Sequence, residues 1–258
     1  MLSYCLHTHK ALELTLKITF YLEGRMIRSP KEEFEFFCVP VNSSWMEHVW
    51  RLRYDVYCVD CHFLEQANYP GRQEKDKFDP HAIHLAATNE EGKVIASVRL
   101  VQESEHGFPF EERGGLLNAD FQILPRDSMA EISRLTVHKD YRGAQGRLLA
   151  GLLRLCTIQA IRGGKKNVLA TMEPRLQRLL ARYGYSFHAI GDAMEYYGTV
   201  IPYLMEIDVY LVGLAERRMD LLHYLIAGTG TERALPFRPM RQSGFNRQVR
   251  LNRADRIA

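Results

Sequence analysis

No apolar run in this 258-residue chain approaches the ~18–20 residues needed to cross a bilayer, so a membrane-spanning helix is not expected. Near the N-terminus Glu13 and Lys17 interrupt the apolar stretch and no cleavage pattern follows. A signal peptide is therefore not expected either, and the reading is a cytoplasmic protein. Cysteine is scarce and odd in number: Cys5, Cys38, Cys58, Cys61 and Cys156 imply free thiols in such a chain. Cys58-Val-Asp-Cys61 is a lone CxxC, with His62, His81 and His84 nearby but no second cysteine pair. Its cysteines read as small helix-packing residues, and no metal is expected. Neither sign of charge dominates, at +3 overall. The surplus is local, since residues 234–258 hold six arginines against one aspartate. A basic tail can bind phosphates, but no aromatic-interleaved patch or recognition-helix motif accompanies it, so nucleic acid is not expected. Repeats and low-complexity segments are absent, and 46% hydrophobic with 25% charged residues is ordinary globular composition.

What is present is strong patterning. Leu12–Leu22 alternates apolar and other residues, as a half-buried strand does, and Phe34–Val41 is a second, shorter candidate. Ser44 and Glu47 fit a capping box. The helix they would open has Trp45, Val49, Leu52 and Val56 on one face and runs on through Arg53 and Tyr57. Ile83–Thr88 and Val94–Val101, joined by Asn89-Glu-Glu-Gly92, form a hairpin in which Arg99 faces away from Val98 and Leu100. Residues 102–127 have no period, which reads as a functional loop or lid. Asn167–Met172 is a buried strand, and Pro174 opens a helix running to Tyr183. Tyr185–Ile190 and Met194–Val209 read as strands, and Val209–Ala227 as one amphipathic helix. Residues 1–233 are read as one domain, with N-terminal strands over 1–41 and a core over 42–209; 234–258 is a basic tail.

The centre of the pattern is Glu131-Ile-Ser-Arg-Leu-Thr-Val-His-Lys-Asp-Tyr-Arg-Gly143, with Gly146 just before the apolar helix pattern of residues 147–161. It is one strand, a tight turn in which Gly143 can take φ > 0, and one helix. Free amides and the positive end of a helix dipole at such a turn make an anion site. The stretch resembles the central strand and pyrophosphate turn of the GNAT acyltransferase superfamily. The resemblance implies an α/β (α+β) GNAT fold: a central, twisted, mostly antiparallel mixed sheet with helices on both faces. It also implies donor contacts at Arg142, Gly143 and Gly146. Arg147-Leu148 stand where the family usually has a second glycine, which weakens the case for free coenzyme A as donor.

A further set of residues is similar in order and spacing to the acyl-homoserine-lactone autoinducer synthases. It comprises Arg53-(x)3-Tyr57, Phe63, Asp76-(x)2-Asp79, Arg99 and Glu131-(x)2-Arg134. The runs Tyr54-Asp-Val-Tyr-Cys58 and Lys77-Phe-Asp-Pro-His81, with His84, resemble the related N-acyl amino acid synthases. That group includes acyltransferases associated with PEP-CTERM/exosortase systems. The resemblance implies an enzyme without a permanently bound cofactor. Its substrates would be the acyl-phosphopantetheine of acyl carrier protein, or acyl-coenzyme A, and a small-molecule amine.

Amide formation from a thioester needs a base for the amine, a donor for the oxyanion and a proton for the leaving thiolate. Glu131 is the candidate base, alternatively a carboxylate paired with Arg99 or Arg134. The resemblance implies an oxyanion donor at the irregular end of the central strand, around Val137 or His138. The superfamily's usual tyrosine acid falls on Leu180, with Tyr183 and Tyr185 offset, so the acid is unassigned. Arg53, Arg99, Asp76 and Asp79, with Tyr57 and Phe63, form the acceptor side, because a carboxylate wants an arginine fork and an ammonium wants an anion. Arg175, Arg178 and Arg182 share one helix face, where a cationic surface would steer an acidic carrier protein. The first reading is an N-acyltransferase using a long-chain acyl donor. The second is an autoinducer synthase acting on S-adenosylmethionine. The third is a non-catalytic binding protein.

Overall fold

The structure is a computed structural model, and it describes residues 34–112 and 124–226. The expected strand at Leu12–Leu22 and the basic tail lie outside the described residues. The described strands are β1 (Glu35–Val39), β2 (Ala82–Thr88), β3 (Val94–Gln102), β4 (Met129–Val137), β5 (Asn167–Met172), β6 (His188–Ala189), β7 (Met194–Glu195) and β8 (Thr199–Glu206). The helices are α1 (Trp45–Tyr54), α2 (Pro109–Glu112), α3 (Gln145–Arg162), α4 (Pro174–Arg182), α5 (Ile207–Arg217) and α6 (Met219–Ile226).

The sheet order is β1-β2-β3-β4-β5-β8-β6, with β7 also on β8. Every pairing is antiparallel except β4–β5. Alternation along the strands builds two cores. Leu85, Val98, Leu100, Ile132 and Val168 pack with Leu148, Leu152 and Cys156 of α3 and with Leu176 and Leu180 of α4. On the opposite face Ala86 and Val94 pack with Met46, Val49, Leu52 and Val56. Met129 and Leu169 pack with Phe108 and Phe110. The mostly antiparallel mixed sheet with helices on both faces is thus the observed architecture.

Two irregularities shape its centre. In β4 residues Arg134 and Leu135 stand opposite Val98 alone, because the register with β3 shifts between Thr136↔Ser97 and Ser133↔Arg99. Arg134 takes φ 51° there, an uncommon value for a residue with a Cβ. Pairing of β4 with β5 runs only from Met129↔Asn167 to Ile132↔Ala170. Residues 133–137 therefore leave their parallel neighbour, and the sheet splays open between the two strands.

Several local expectations are corrected. Ser44 begins α1 but makes no side-chain cap, so the capping box does not form. After Tyr54 the helix widens into a π turn over Asp55–Asp60, closed by Cys61 N donating to Val56 O at 2.9 Å. Gly143 lies in the 3-10 turn Lys139–Ala144 and is not among the positive-φ glycines, and Gly146 is already inside α3. The Tyr185–Ile190 strand shrinks to His188–Ala189. The long amphipathic helix breaks at Arg218, giving α5 and α6.

Edge strand β1 is seated by one close approach. A Cβ on Gly151, mid-α3, would overlap the Phe36 ring. Gly151→Ala is expected to destabilise the protein by about 1–3 kcal/mol in chemical denaturation. In a Phe36→Ala background the same change should be neutral or stabilising by up to ~1 kcal/mol, because helix propensity then stands alone. Equal losses in both backgrounds would mean the ring does not set the requirement for glycine.

Candidate active site

Six charged side chains meet on the α1 face of β3 and β4. Arg53 donates from Nε to Glu74 Oε2 at 2.5 Å and from Nη1 to Asp79 Oδ1 at 2.6 Å. Arg99 donates from Nη1 to Asp76 Oδ1 (2.5 Å) and Asp79 Oδ1 (2.7 Å), from Nη2 to Asp76 Oδ2 (2.9 Å), and from Nε to Ser133 Oγ (2.9 Å). Arg134 donates from Nη2 to Glu74 Oε1 at 3.1 Å and to Asp76 Oδ2 at 3.0 Å. Burial alone would push all three carboxyls up. The guanidiniums of Arg53 and Arg134 (for Glu74), Arg99 (for Asp76) and Arg53 with Arg99 (for Asp79) more than offset this and hold each below its ordinary value. The cluster is three cations against three anions, so it is neutral as a unit.

Local geometry explains how it assembles. Arg53 sits in the last turn of α1, and Glu74 N donates to Trp50 O at 3.0 Å, which ties the following loop to that helix. The loop is drawn tight by Asp76 N donating to Asp79 Oδ2 at 2.9 Å. His84, buried with its pKa lowered mainly by desolvation, has Nε2 3.0 Å from Asp79 O. The bulge aims Arg134 at the same cluster, and Tyr57 OH, from the π turn, donates to Leu135 O at 3.1 Å. Arg134 also lies over the Tyr57 ring, 5.6 Å from its centroid.

The cluster has a deep end and an open end. Arg53, Glu74 and Asp79 are buried, whereas Asp76 keeps 22% of its side chain exposed. Asp76, Arg99 and Arg134 line a narrow cleft together with Phe110, Thr171, Met194, Tyr196 and Val200. Phe63 lies 6.4 Å from Tyr57 and stacks at 5.2 Å between ring centroids on Tyr197, whose neighbour Tyr196 lines the cleft.

Glu131 stands apart from this cluster. It pairs with neither Arg99 nor Arg134. Its Oε2 accepts from Phe110 N at 3.1 Å, and its fully buried Oε1 has no hydrogen-bond partner among the described residues. Desolvation, only partly offset by that amide and by Arg99, pushes its pKa up to about 7. A buried carboxyl held by the amide of cleft-lining Phe110, with its pKa pushed up toward neutrality, is suited to accept a proton.

The remaining predicted positions divide. The irregularity of β4 falls at Arg134-Leu135, before Val137, which pairs with Ala96; the His138 amide already donates to Ile95 O at 2.8 Å. Arg142 Nη2 donates to Asp60 Oδ2 at 3.1 Å, which ties the turn before α3 to the π turn. Arg175, Arg178 and Arg182 are exposed on α4, while Leu176 and Leu180 of that helix are buried. Tyr185 is buried against Tyr210 in the α3-side core, away from the cleft. Glu74, Tyr196 and Tyr197 were not singled out by sequence. The acidic spacing of Glu74, Asp76 and Asp79 was a legible signal for the first. The two tyrosines join the site only through the β7–β8 turn, which no local pattern reveals.

Residues 52–167 match the family model for an acetyltransferase (GNAT) domain. A search of curated proteins finds no match by sequence. Among solved structures, the coenzyme A-dependent acyl-homoserine lactone synthase BjaI, with SAM and isopentyl-CoA, aligns with TM-score 0.57 at 20% identity. The alignment covers 77% of this chain and 90% of that one. The AHL synthase LasI aligns with TM-score 0.53 at 12% identity, over 68% of this chain and 90% of its own. FeeM, an N-acyl amino acid synthase from uncultured soil microbes, aligns with TM-score 0.45 at 12% identity, over 72% and 96%. At these identities the likeness is one of fold. The GNAT domain match spans the splayed sheet and bulged central strand described above.

Proposed function

We propose that the protein is an N-acyltransferase that moves a long-chain acyl group from a thioester donor to the amine of an amino acid or similar acceptor. The observation that carries this reading is Glu131, a buried carboxyl with one unpartnered oxygen and a pKa pushed up to about 7, held by the amide of Phe110, which lines the cleft. In the proposed step the neutral amine attacks the thioester carbonyl, and the amine proton passes to Glu131 directly or through one water. Negative charge on the carbonyl oxygen is met by a backbone amide of the Arg134-Leu135 bulge, worth about 3 kcal/mol. The C–S bond then breaks, and the thiolate takes a proton from solvent.

The acceptor meets the open end of the charge cluster. Arg134, the more accessible guanidinium, offers a cation for a carboxylate, and Asp76, 22% exposed, offers an anion for an amine, while Arg99 holds Asp76 in place. Arg53, Glu74 and Asp79 hold these groups in place and act as positioning residues. The acyl chain lies along the apolar cleft lining of Phe110, Met194 and Val200. The donor thioester enters where β4 and β5 part, with its carrier held by Arg142 and the arginines of α4. An acidic acyl carrier protein suits that exposed cationic face, and the missing second turn glycine is consistent with a carrier in place of free coenzyme A.

Three outcomes test this. First, kcat/KM should rise with pH through about 7 as Glu131 ionises, and Glu131→Gln should lower turnover ~100-fold or more. Glu131 binds its proton more tightly folded than unfolded, so the wild type loses stability between pH 4.5 and about 7. Glu131→Gln escapes that loss and should be the more stable protein above pH 7. A wild-type rate that is flat across this range, or unchanged turnover in the variant, would remove Glu131 from the mechanism. Second, Asp76→Asn should raise the acceptor's KM more than the donor's. Asp79→Asn should do the same while costing roughly 3–5 kcal/mol of stability, because it leaves three buried guanidiniums facing two carboxylates. Lost stability with unchanged KM would make the cluster purely structural. Third, Arg178→Glu with Arg182→Glu should impair reaction with acyl carrier protein far more than with acyl-coenzyme A, and the wild-type carrier rate should fall steeply with salt. Equal loss with both donors would exclude this face, and mass spectrometry finding a lactone product would replace the acceptor assignment.

A further inference from the structure

One group of metal-ligating side chains lies outside the machinery described so far. His81 ends the turn Asp79–His81, directly after the loop that carries Asp76 and Asp79. Glu105 and His106 lie in the turn Ser104–Gly107, closed by Gly107 N donating to Ser104 O at 2.9 Å, with Gly107 at φ 66°. One ligand atom from each of His81, Glu105 and His106 lies within 4.8 Å of the others. The His81 and His106 rings meet edge-on at 5.5 Å, and His106 also sits edge-on to Phe78, which lines the cleft.

We propose that His81, Glu105 and His106 form a binding site for a transition-metal dication of the zinc class, which clips the 76–81 loop to the 104–112 segment. Two imidazoles and one carboxylate are the donor types such ions favour, in contrast to the all-oxygen sets that magnesium and calcium take. Three ligands held at about 2.0–2.2 Å from one tetrahedral ion lie about 3.4 Å apart. The ligands therefore need to close in by little more than an ångström. Glu105 and His106 are exposed, so Glu105 swings in from solvent while His106 closes on His81 from its edge-on contact. A fourth position is left for water.

The consequence is mechanical. The 104–112 segment carries Phe110, whose amide holds Glu131, and Lys77 already bridges to Glu112 at 2.9 Å across the same two segments. An exposed ion pair of this kind contributes little by itself. A coordinated ion at the other end of the segment would fix it over the cleft and hold the Phe110 amide on Glu131.

The test uses the full chain without an affinity tag, titrated with zinc chloride by calorimetry, with hydrogen exchange as second readout. Wild type should bind one zinc with micromolar affinity, and zinc should slow exchange across residues 76–81 and 104–112. His81→Ala and His106→Ala should each weaken that binding at least tenfold and abolish the slowing. His106→Ala replaces an exposed turn residue, so it keeps the test sound if the half-buried His81 proves necessary for folding. The His7-Thr-His9 pair can chelate metal on its own, so a His7→Ala/His9→Ala variant is the control and should bind as wild type does. Cobalt(II) bound to wild type should show the visible absorption of a tetrahedral nitrogen–oxygen set. Affinity weaker than micromolar, binding that survives His106→Ala, or binding that disappears in the His7/His9 variant would each overturn the proposal.

Discussion

Three buried guanidiniums facing three carboxylates are the constraint on which the centre of this molecule depends. Taking one such charge out of water costs several kcal/mol, and mutual attraction repays it only when geometry is tight and the remaining donors are met. That requirement reaches back into the chain. It fixes the end of α1 through Arg53, the 74–79 loop through its three acids, β3 through Arg99, and the β4 bulge through Arg134. A left-handed backbone at a residue with a Cβ persists only where the surroundings over-determine it. Arg134 is so determined, by Glu74 and Asp76 on its guanidinium and by Tyr57 on the next carbonyl.

The same cluster defines Glu131 by exclusion. Asp76 and Glu131 are both carboxyls on the same sheet core, yet one is held below its ordinary pKa by arginines and the other is raised to about 7 by burial. Pushing two acids apart in this way assigns them different work: one stays an anion and the other can exchange a proton near neutral pH. Had Glu131 reached Arg99, which already spends its Nε on Ser133, it would have been a spectator anion. Its single amide hydrogen bond leaves it basic enough to take a proton and buried enough to keep it.

Much of this frame was legible in the residues. The hairpin, the central strand and helix, the Pro174 helix and the burial of Leu176 and Leu180 follow from periodicity and punctuation, because those elements decide their own local structure. The Arg53, Asp76, Asp79, Arg99 and Arg134 set was recognisable from order and spacing. What periodicity could not carry was tertiary. The bulge depends on the pairing of β4 with β3 and falls at Arg134-Leu135, whereas the family resemblance implies an irregular end around Val137 or His138. The π turn depends on Tyr57 reaching Leu135 O, and Tyr196 and Tyr197 reach the wall only through strand pairing at the opposite edge of the sheet. The Ser44 cap failed for a local reason. Its backbone is already helical, at φ −59° and ψ −21°, whereas a capping residue needs an extended conformation.

The two irregularities of β4 are linked by the direction of the strand. β4 pairs with β5 up to Ile132, bulges at Arg134-Leu135, and then continues beside β3 alone. A bulge adds twist to its strand, and added twist at that point turns β4 away from β5, which opens the wedge. The residues that anchor the bulge come from α1 and the 74–79 loop on one face. The wedge they create is bounded on the other by α3 and α4, whose leucines pack beneath it. The charge cluster and the gap between β4 and β5 are therefore not independent features of this fold. Removing the carboxylates that hold Arg134 would relax the bulge, and the gap between β4 and β5 would close with it.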